Sequence, residues 1–299
     1  MRAQLAAAGL LAATSATAAG PSSSAVPSGA MSLGDILGQA ASHDNPLYKY
    51  PTQLTQGIMP KAFHSHNDYW RPLPFWSALA AGAVSVEADV WLYNDTLHVG
   101  HETSALTKER TFDALYVQPI LEVLRRQNPE SPFVTDGPTR NGVFDTVSGQ
   151  TLYLWVDLKT DGAATWPYVV KALAPLRDAG YLTTGVSPRD YFWDGPLPTL
   201  GGAFSNITKE VTPVASTAFT AQFGDVRGAR GQLNDTQAAL LKSQVETAHA
   251  KGIKVRYWDL PYWPIGTRNA VWRTLWDAKV DLLNVDDLQG CADFWETLG

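Results

Sequence analysis

Two histidines stand two positions apart in "KAFHSHNDYW", residues 61–70, followed at once by an asparagine and an aspartate. Imidazole takes or gives a proton near neutral pH, so His64 and His66 are candidates for general acid/base work. Further on, "VSVEADVWL" carries Glu87 and Asp89 at i and i+2. On a strand that spacing puts both carboxylates on one face, where they repel each other unless a cation lies between them. A third carboxylate, Asp157 in "LYLWVDLKT", comes from an apolar stretch where an unpaired charge is costly. Three oxygen donors of this kind suit a hard divalent cation, Mg2+ or Ca2+. The simpler alternative pairs Asp157 with Lys159, also at i+2 on the same face.

His101 follows Asp89 across a hairpin whose turn is "YNDT", which can return its imidazole to the carboxylates. Two imidazoles flanking an acidic site form the arrangement that acid and base catalysis needs. In "RYWDLPYWP", residues Tyr257, Trp258, Tyr262 and Trp263 fall at and just past a late strand end, where aromatic faces can cage a cationic headgroup or serve as packing.

These residues need elements to hold them. Strand-like and helix-like segments alternate from Lys61 onward: "KAFH", "FWSALAAG", "VSVEADVWL", the hairpin arm "LHVGH", "LYVQPILEVLRRQN", "LYLWVDLKT" and "WPYVVKALAPLRDAG". The second half continues with a strand candidate in "STAFTAQF", a helix in "DTQAALLKSQVETAHAKG", and then "IKVRYWDL", "RNAVWRTLWDAK" and "VDLLNVD". Such alternation implies a parallel α/β sheet, and the apolar, β-branched runs suggest strands buried on both faces. With no repeat of fixed period, a (β/α)8 TIM barrel is favoured, its chemistry at the carboxyl ends of the strands.

Residues 1–19 read as a secretory signal peptide, with an early Arg, a short apolar run and small residues after it. Residues 20–60 read as a Pro/Ser-rich lead-in with a short helix near Leu33–Ala41, and 61–299 as one barrel domain. No apolar run reaches the roughly 20 residues of a membrane span, so the mature chain is expected to be extracellular, without a transmembrane segment, and a monomer. Sequons at Asn94, Asn206 and Asn234 fit a secreted glycoprotein. The single cysteine, Cys291, excludes an intrachain disulfide. A net charge of −6 without a basic run argues against nucleic acid as a partner.

The stretch "GAVSVEADVWLYNDTLHVGHETSALTKERTF" resembles the signature of the glycerophosphodiester phosphodiesterase superfamily, and "KVDLLNVDD" is similar to its last barrel strand. "VDLKT" is similar to the third metal-ligand strand of the sphingomyelinase D-like branch. "HSHNDY", "SVEADVWL" and "VDLKTDG" look most like the altered inheritance of mitochondria protein six group, a phospholipase C-like phosphodiesterase branch. The resemblance spans roughly Lys61 to Gly290. It implies Glu87, Asp89 and Asp157 as metal ligands, His101 as one catalytic imidazole and His64 or His66 as the other. His64 with Asn67 mimics the His-x-x-Asn of the sphingomyelinase D-like branch, which slightly favours His64 as the acid/base and His66 as a ligand to phosphate or metal. The usual His-Arg-Gly is replaced here by His64-Ser65-His66-Asn67, which removes a phosphate-binding arginine.

The expectation is therefore a secreted, metal-dependent phosphodiester hydrolase acting on a small phosphodiester or phospholipid headgroup. Asn67, Lys159 and Trp258 would contact the substrate. Release of a cyclic phosphate, as in the sphingomyelinase D-like branch, is an alternative outcome. Two other classes compete: a barrel glycoside hydrolase using Glu87 and Asp157, which leaves three histidines idle, and a non-catalytic binding module on this scaffold.

Overall fold

The computed structural model describes residues 32–42, 47, 49–134, 140–182 and 191–298. The signal-peptide reading of 1–19, and the lead-in as far as residue 31, lie outside the described residues. Two compact units are distinguished, residues 1–49 and 50–299. The first contains α1 (Leu33–Ser42), started by Ser32: its Oγ accepts from Asp35 N at 3.1 Å while its own N donates to Asp35 Oδ2 at 3.0 Å.

The second unit is built on an eight-stranded sheet. Its strands are β1 (Lys61–Ser65), β2 (Ala83–Tyr93), β3 (Thr96–Val99), β4 (Tyr153–Leu158), β5 (Gly195–Pro196), β6 (Val214–Ala218), β7 (Lys254–Trp258) and β8 (Leu282–Val285). The parallel order is β4-β2-β1-β8-β7-β6-β5, and β3 runs antiparallel to the last turn of β2. The fold is thus a mixed α/β fold around a mostly parallel sheet.

Helices fill the crossovers. They are α2 (Trp76–Ala81), a π-helical turn (Asp113–Val117) running into α3 (Gln118–Gln127), α4 (Gly162–Ala172), α5 (Ala174–Asp178), α6 (Phe219–Phe223), α7 (Asp235–His249), α8 (Ile265–Asp277) and α9 (Leu288–Glu296). Their starts follow side-chain chemistry. Asn234 and Gln237 form a capping box on α7, with Gln237 N donating to Asn234 Oδ1 at 2.9 Å and Asn234 N to Gln237 Oε1 at 2.8 Å. Asp161 and Asp287 cap α4 and α9 by accepting from Ala164 N and Gly290 N. Gly82 ends α2 at φ 86° and a Cβ there would meet Met59 O at 2.3 Å, so only glycine allows the turn into β2.

The central strands are buried on both faces, as expected, but one face is apolar and the other largely polar. Phe63, Val84, Val86, Ala88, Val90, Val255, Tyr257, Leu283 and Val285 form one buried layer, in one core with Leu79, Ile120, Leu124, Leu241, Val245, Trp272, Leu275 and Phe294 from the helices. The other face carries His64, Ser85, Glu87, Asp89, Arg256 and Asn284; His64 lies against Ser85 and Glu87, and Arg256 donates to Asn284. That face curls inward. The Trp155 ring of β4 lies 4.2 Å under the Arg256 guanidinium of β7 and edge-on to His64 of β1, although β2, β1 and β8 intervene in the pairing order. The segment "STAFTAQF" is a strand only to Ala218. Phe219 and Phe223 then stack at helical i,i+4 spacing, 4.9 Å apart, both buried, which favours a turn of helix over more strand.

Candidate active site

β1 and β2 deliver the first groups. His64 pairs with Ser85 across β1–β2, and its Nδ1 lies 2.7 Å from Ser85 Oγ. The ring is fully buried, and its Nε2 makes no hydrogen bond, with Glu87 Oε2 at 3.8 Å. Burial, then the nearby Arg256 charge, pull its pKa down to about 3, so His64 is neutral across the physiological range. This goes against the sequence's slight preference for His64 as the proton-transferring group.

His66 has the equipment instead. Its ring is 25% exposed, Nδ1 lies 2.7 Å from Asp286 Oδ1 just past β8, and Nε2 faces Glu87 Oε2 at 3.8 Å. Burial works against a proton on His66, yet the Asp286 and Glu87 carboxylates outweigh it and raise the pKa. Asp286 is correspondingly held below its ordinary value: burial opposes, and the hydrogen bond to His66 prevails. The sequence reading missed Asp286, although it stands in "NVDD" directly after a strand that pairs with β1.

Asn67 closes this corner. Its left-handed backbone, φ 49°, aims N at Glu87 Oε2 at 2.8 Å, while Nδ2 stands 3.0 Å from His66 Nδ1 and 3.2 Å from Asp286 Oδ1. Arg71 donates to the backbone oxygens of His66, Val285 and Asp286, clamping the ends of β1 and β8 together. Burial alone would raise the Glu87 pKa; its surroundings, the His66 and Arg256 charges among them, outweigh it and lower the pKa.

The second corner is built on Asp89. It is buried and lies 2.9 Å from Lys159 Nζ, 2.7 Å from the Tyr69 hydroxyl and 3.6 Å from His101 Nδ1. Burial raises its pKa, against the hydrogen bonds from Tyr69 and Lys159. The β2–β3 hairpin returns His101 as the "YNDT" turn predicts, with Asn94 and Asp95 both left-handed at φ 46° and 61°. His101 is half exposed and its Nδ1 lies 3.0 Å from the Tyr69 hydroxyl.

Asp157 pairs with Asp89 in the β2–β4 register, but its side chain is 52% exposed rather than buried, so the argument from burial cost does not apply to it. Lys159 Nζ lies 2.5 Å from Asp157 and 2.9 Å from Asp89, which realises the ion pair expected as the simpler reading. Partial burial disfavours this ammonium, and the two carboxylates outweigh that and raise its pKa. Among the described residues no three His, Cys, Asp or Glu side chains come together as a metal-holding group. Glu87, Asp89 and Asp157 still offer hard oxygens from adjacent strands at one end of the sheet, a donor set that fits Mg2+ or Ca2+ once the Lys159 ammonium moves from between two of them.

Trp258 ends β7 with its ring partly exposed, and Tyr262 and Trp263 beyond it are exposed. Tyr257 is not part of this rim: it is buried on the opposite face, where its hydroxyl donates to Gln244 Oε1 at 2.6 Å.

The arrangement offers two imidazoles, each backed by a carboxylate or phenol at Nδ1, beside the Lys159 ammonium held on two carboxylates. That is equipment for moving protons around an anionic reacting group. Comparison with known proteins bears on which group. The model of the AIM6-like phosphodiesterase domain matches residues 52–197, a span that includes the site groups except Arg256, Trp258 and Asp286. The Altered inheritance of mitochondria protein 6 homolog of Arthroderma benhamiae is 49% identical over 284 residues, covering 84% of this chain and 89% of that protein. The chain belongs to the altered inheritance of mitochondria protein 6 family. The Eremothecium gossypii protein of that name is 34% identical over 269 residues, 77% of this chain and 68% of its own length. A Saccharomyces cerevisiae member is 31% identical over 285 residues, 79% of this chain and 71% of its own. No solved structure matches the chain.

Proposed function

We propose that this family member is a phosphodiester hydrolase in which His66 and His101 share the proton transfers. The observation that carries the reading is the pairing of His66 Nδ1 with Asp286 at 2.7 Å while Nε2 stays beside Glu87, together with a second imidazole held next to Asp89. A phosphodiester has a poor alkoxide leaving group, so one imidazole must activate the nucleophile and the other protonate the departing oxygen, each worth ~10²–10⁴-fold. Asp286 orients His66 and stabilises its protonated form. Lys159 and the Asn67 amide contact the phosphoryl oxygens, and Trp258 packs on the substrate's alcohol portion. A divalent metal held by Glu87, Asp89 and Asp157 would draw charge from a phosphoryl oxygen when bound. The nucleophile is a water or a substrate hydroxyl; the latter gives a cyclic phosphate.

We infer further that the curled sheet closes as a (β/α)8-type barrel, with β4 and β5 as the two strands that would meet, supported by the strand order β4-β2-β1-β8-β7-β6-β5 and the Trp155–Arg256 contact across it. The chain acts as a secreted monomer, glycosylated at one or more of Asn94, Asn206 and Asn234, all three of which are exposed; a mass shift on glycosidase treatment tests this. For the activity, the test is release of alcohol from a panel of alkyl phosphodiesters before and after chelation. The reading predicts cleavage that EDTA abolishes and Mg2+ or Ca2+ restores. Cleavage of glycosides instead, or of nothing in the panel, would overturn it.

A further inference from the structure

Tyr69 has no part in the reaction as described above, yet it touches both corners of the site. It lies in the short helical turn Asp68–Trp70 and is 2% exposed. Its hydroxyl reaches three groups: Asp89 Oδ2 at 2.7 Å, Asn67 Oδ1, and His101 Nδ1 at 3.0 Å. A phenol has one proton to give. The Asp89 carboxylate and the Asn67 carbonyl offer only lone pairs, so that proton goes to them. The phenol oxygen then presents a lone pair to His101 Nδ1, and the contact is favourable only if Nδ1 carries the hydrogen. Asp89 itself, 3.6 Å from Nδ1, is too far to accept it. Stacking holds the two rings in this relation, 24° from parallel with centroids 6.4 Å apart.

We propose that Tyr69 is a positioning residue that holds His101 as the Nδ1–H tautomer, leaving Nε2 as the atom that exchanges protons with the substrate. The proposal rests on the catalytic reading of His101 given above. It makes the two imidazoles alike, because an ionised Asp286 can only accept from His66 Nδ1, 2.7 Å away, which leaves Nε2 on the Glu87 side for proton exchange. It also joins them: Tyr69 donates toward Asn67 Oδ1, and Asn67 Nδ2 donates to Asp286 Oδ1 at 3.2 Å.

The test is long-range 15N–1H correlation on the full chain with labelled histidine, at alkaline pH, in the range where the His101 signals no longer change with pH. Wild-type His101 is expected to carry its proton on Nδ1. In Tyr69→Phe, which keeps the ring and removes the oxygen, the proton is expected to move wholly or partly to Nε2, with kcat falling about 10- to 100-fold and KM within about twofold. A wild-type His101 protonated on Nε2 overturns the proposal, as does a Phe variant that loses activity with its tautomer unchanged. Should the Phe variant fail to fold, the wild-type spectrum decides alone, Nδ1–H supporting and Nε2–H overturning. The two claims remain separable: an active His101→Ala protein removes the catalytic reading without touching the tautomer result, whereas Nε2–H in wild type beside an inactive His101→Ala removes only this proposal.

Discussion

At His66, burial and a carboxylate pull in opposite directions, and Asp286 at 2.7 Å prevails. If neutral His66 is the base, activity rises as pH passes upward through its raised pKa. Asp286→Asn keeps the shape and removes the charge, so that limb of the pH–rate profile is expected to shift to lower pH, with turnover down about 10- to 100-fold. An unchanged limb would separate His66 from the profile. The stability sign follows the same pair. A raised folded pKa contributes stability that is fully present below the unfolded value near 6.5 and is lost as pH rises through the folded pKa, so wild type outlasts Asp286→Asn in melting at pH 6 by more than at pH 9. Lys159 is the second residue with a clear expectation, since it is the cation between Asp89 and Asp157. Lys159→Met leaves two carboxylates facing each other; its Tm without divalent metal should fall by a few degrees and recover on adding Mg2+ or Ca2+. A metal-free Tm equal to wild type would contradict this account of the charge balance.

The β2–β3 hairpin is the element that sets His101, and its turn spends two left-handed residues, Asn94 and Asp95, to do so. A β-branched side chain resists that conformation, so Asn94→Val should cost about 1–2 kcal/mol and lower kcat through His101, while Asn94→Gly should keep both. Urea unfolding and turnover of the pair check it; equal effects of Val and Gly would place the cost elsewhere. This hairpin was legible because its turn signal and the alternation of β2 are local. β1, β7 and β8 were likewise legible from their runs, and Glu87 and Asp89 from a spacing that a strand turns into a shared face. What escaped was non-local. Asp286 meets His66 only because β8 pairs with β1, across 220 positions of sequence, and nothing near either residue announces it. Arg256 was visible as a charge inside "KVRYW", a hint that the strand's inner face is polar, but its seat over Trp155 depends on the curl of the sheet. Tyr69 gave no signal, since a tyrosine after a strand is ordinarily packing. The difference between His64 and His66 was not legible either, because alternate residues on a strand share a face but not a depth: His64 is fully buried and His66 is partly exposed.

At the scale of the whole chain, the net charge is −6, and among the described residues no helix is long and apolar enough to cross a membrane. Closure of the sheet is testable here too. Paired on both sides, β4 amides should exchange with solvent as slowly as those of β2; fast exchange confined to β4 would show an open edge. The account as a whole turns on proton transfer by His66 and His101 to and from a phosphodiester. The most direct measurement is kcat of the His66→Ala and His101→Ala proteins on an alkyl phosphodiester, against wild type under the same metal conditions. Each variant is predicted to lose at least ~10²-fold in turnover. Near-normal turnover in either one would contradict the two-imidazole mechanism.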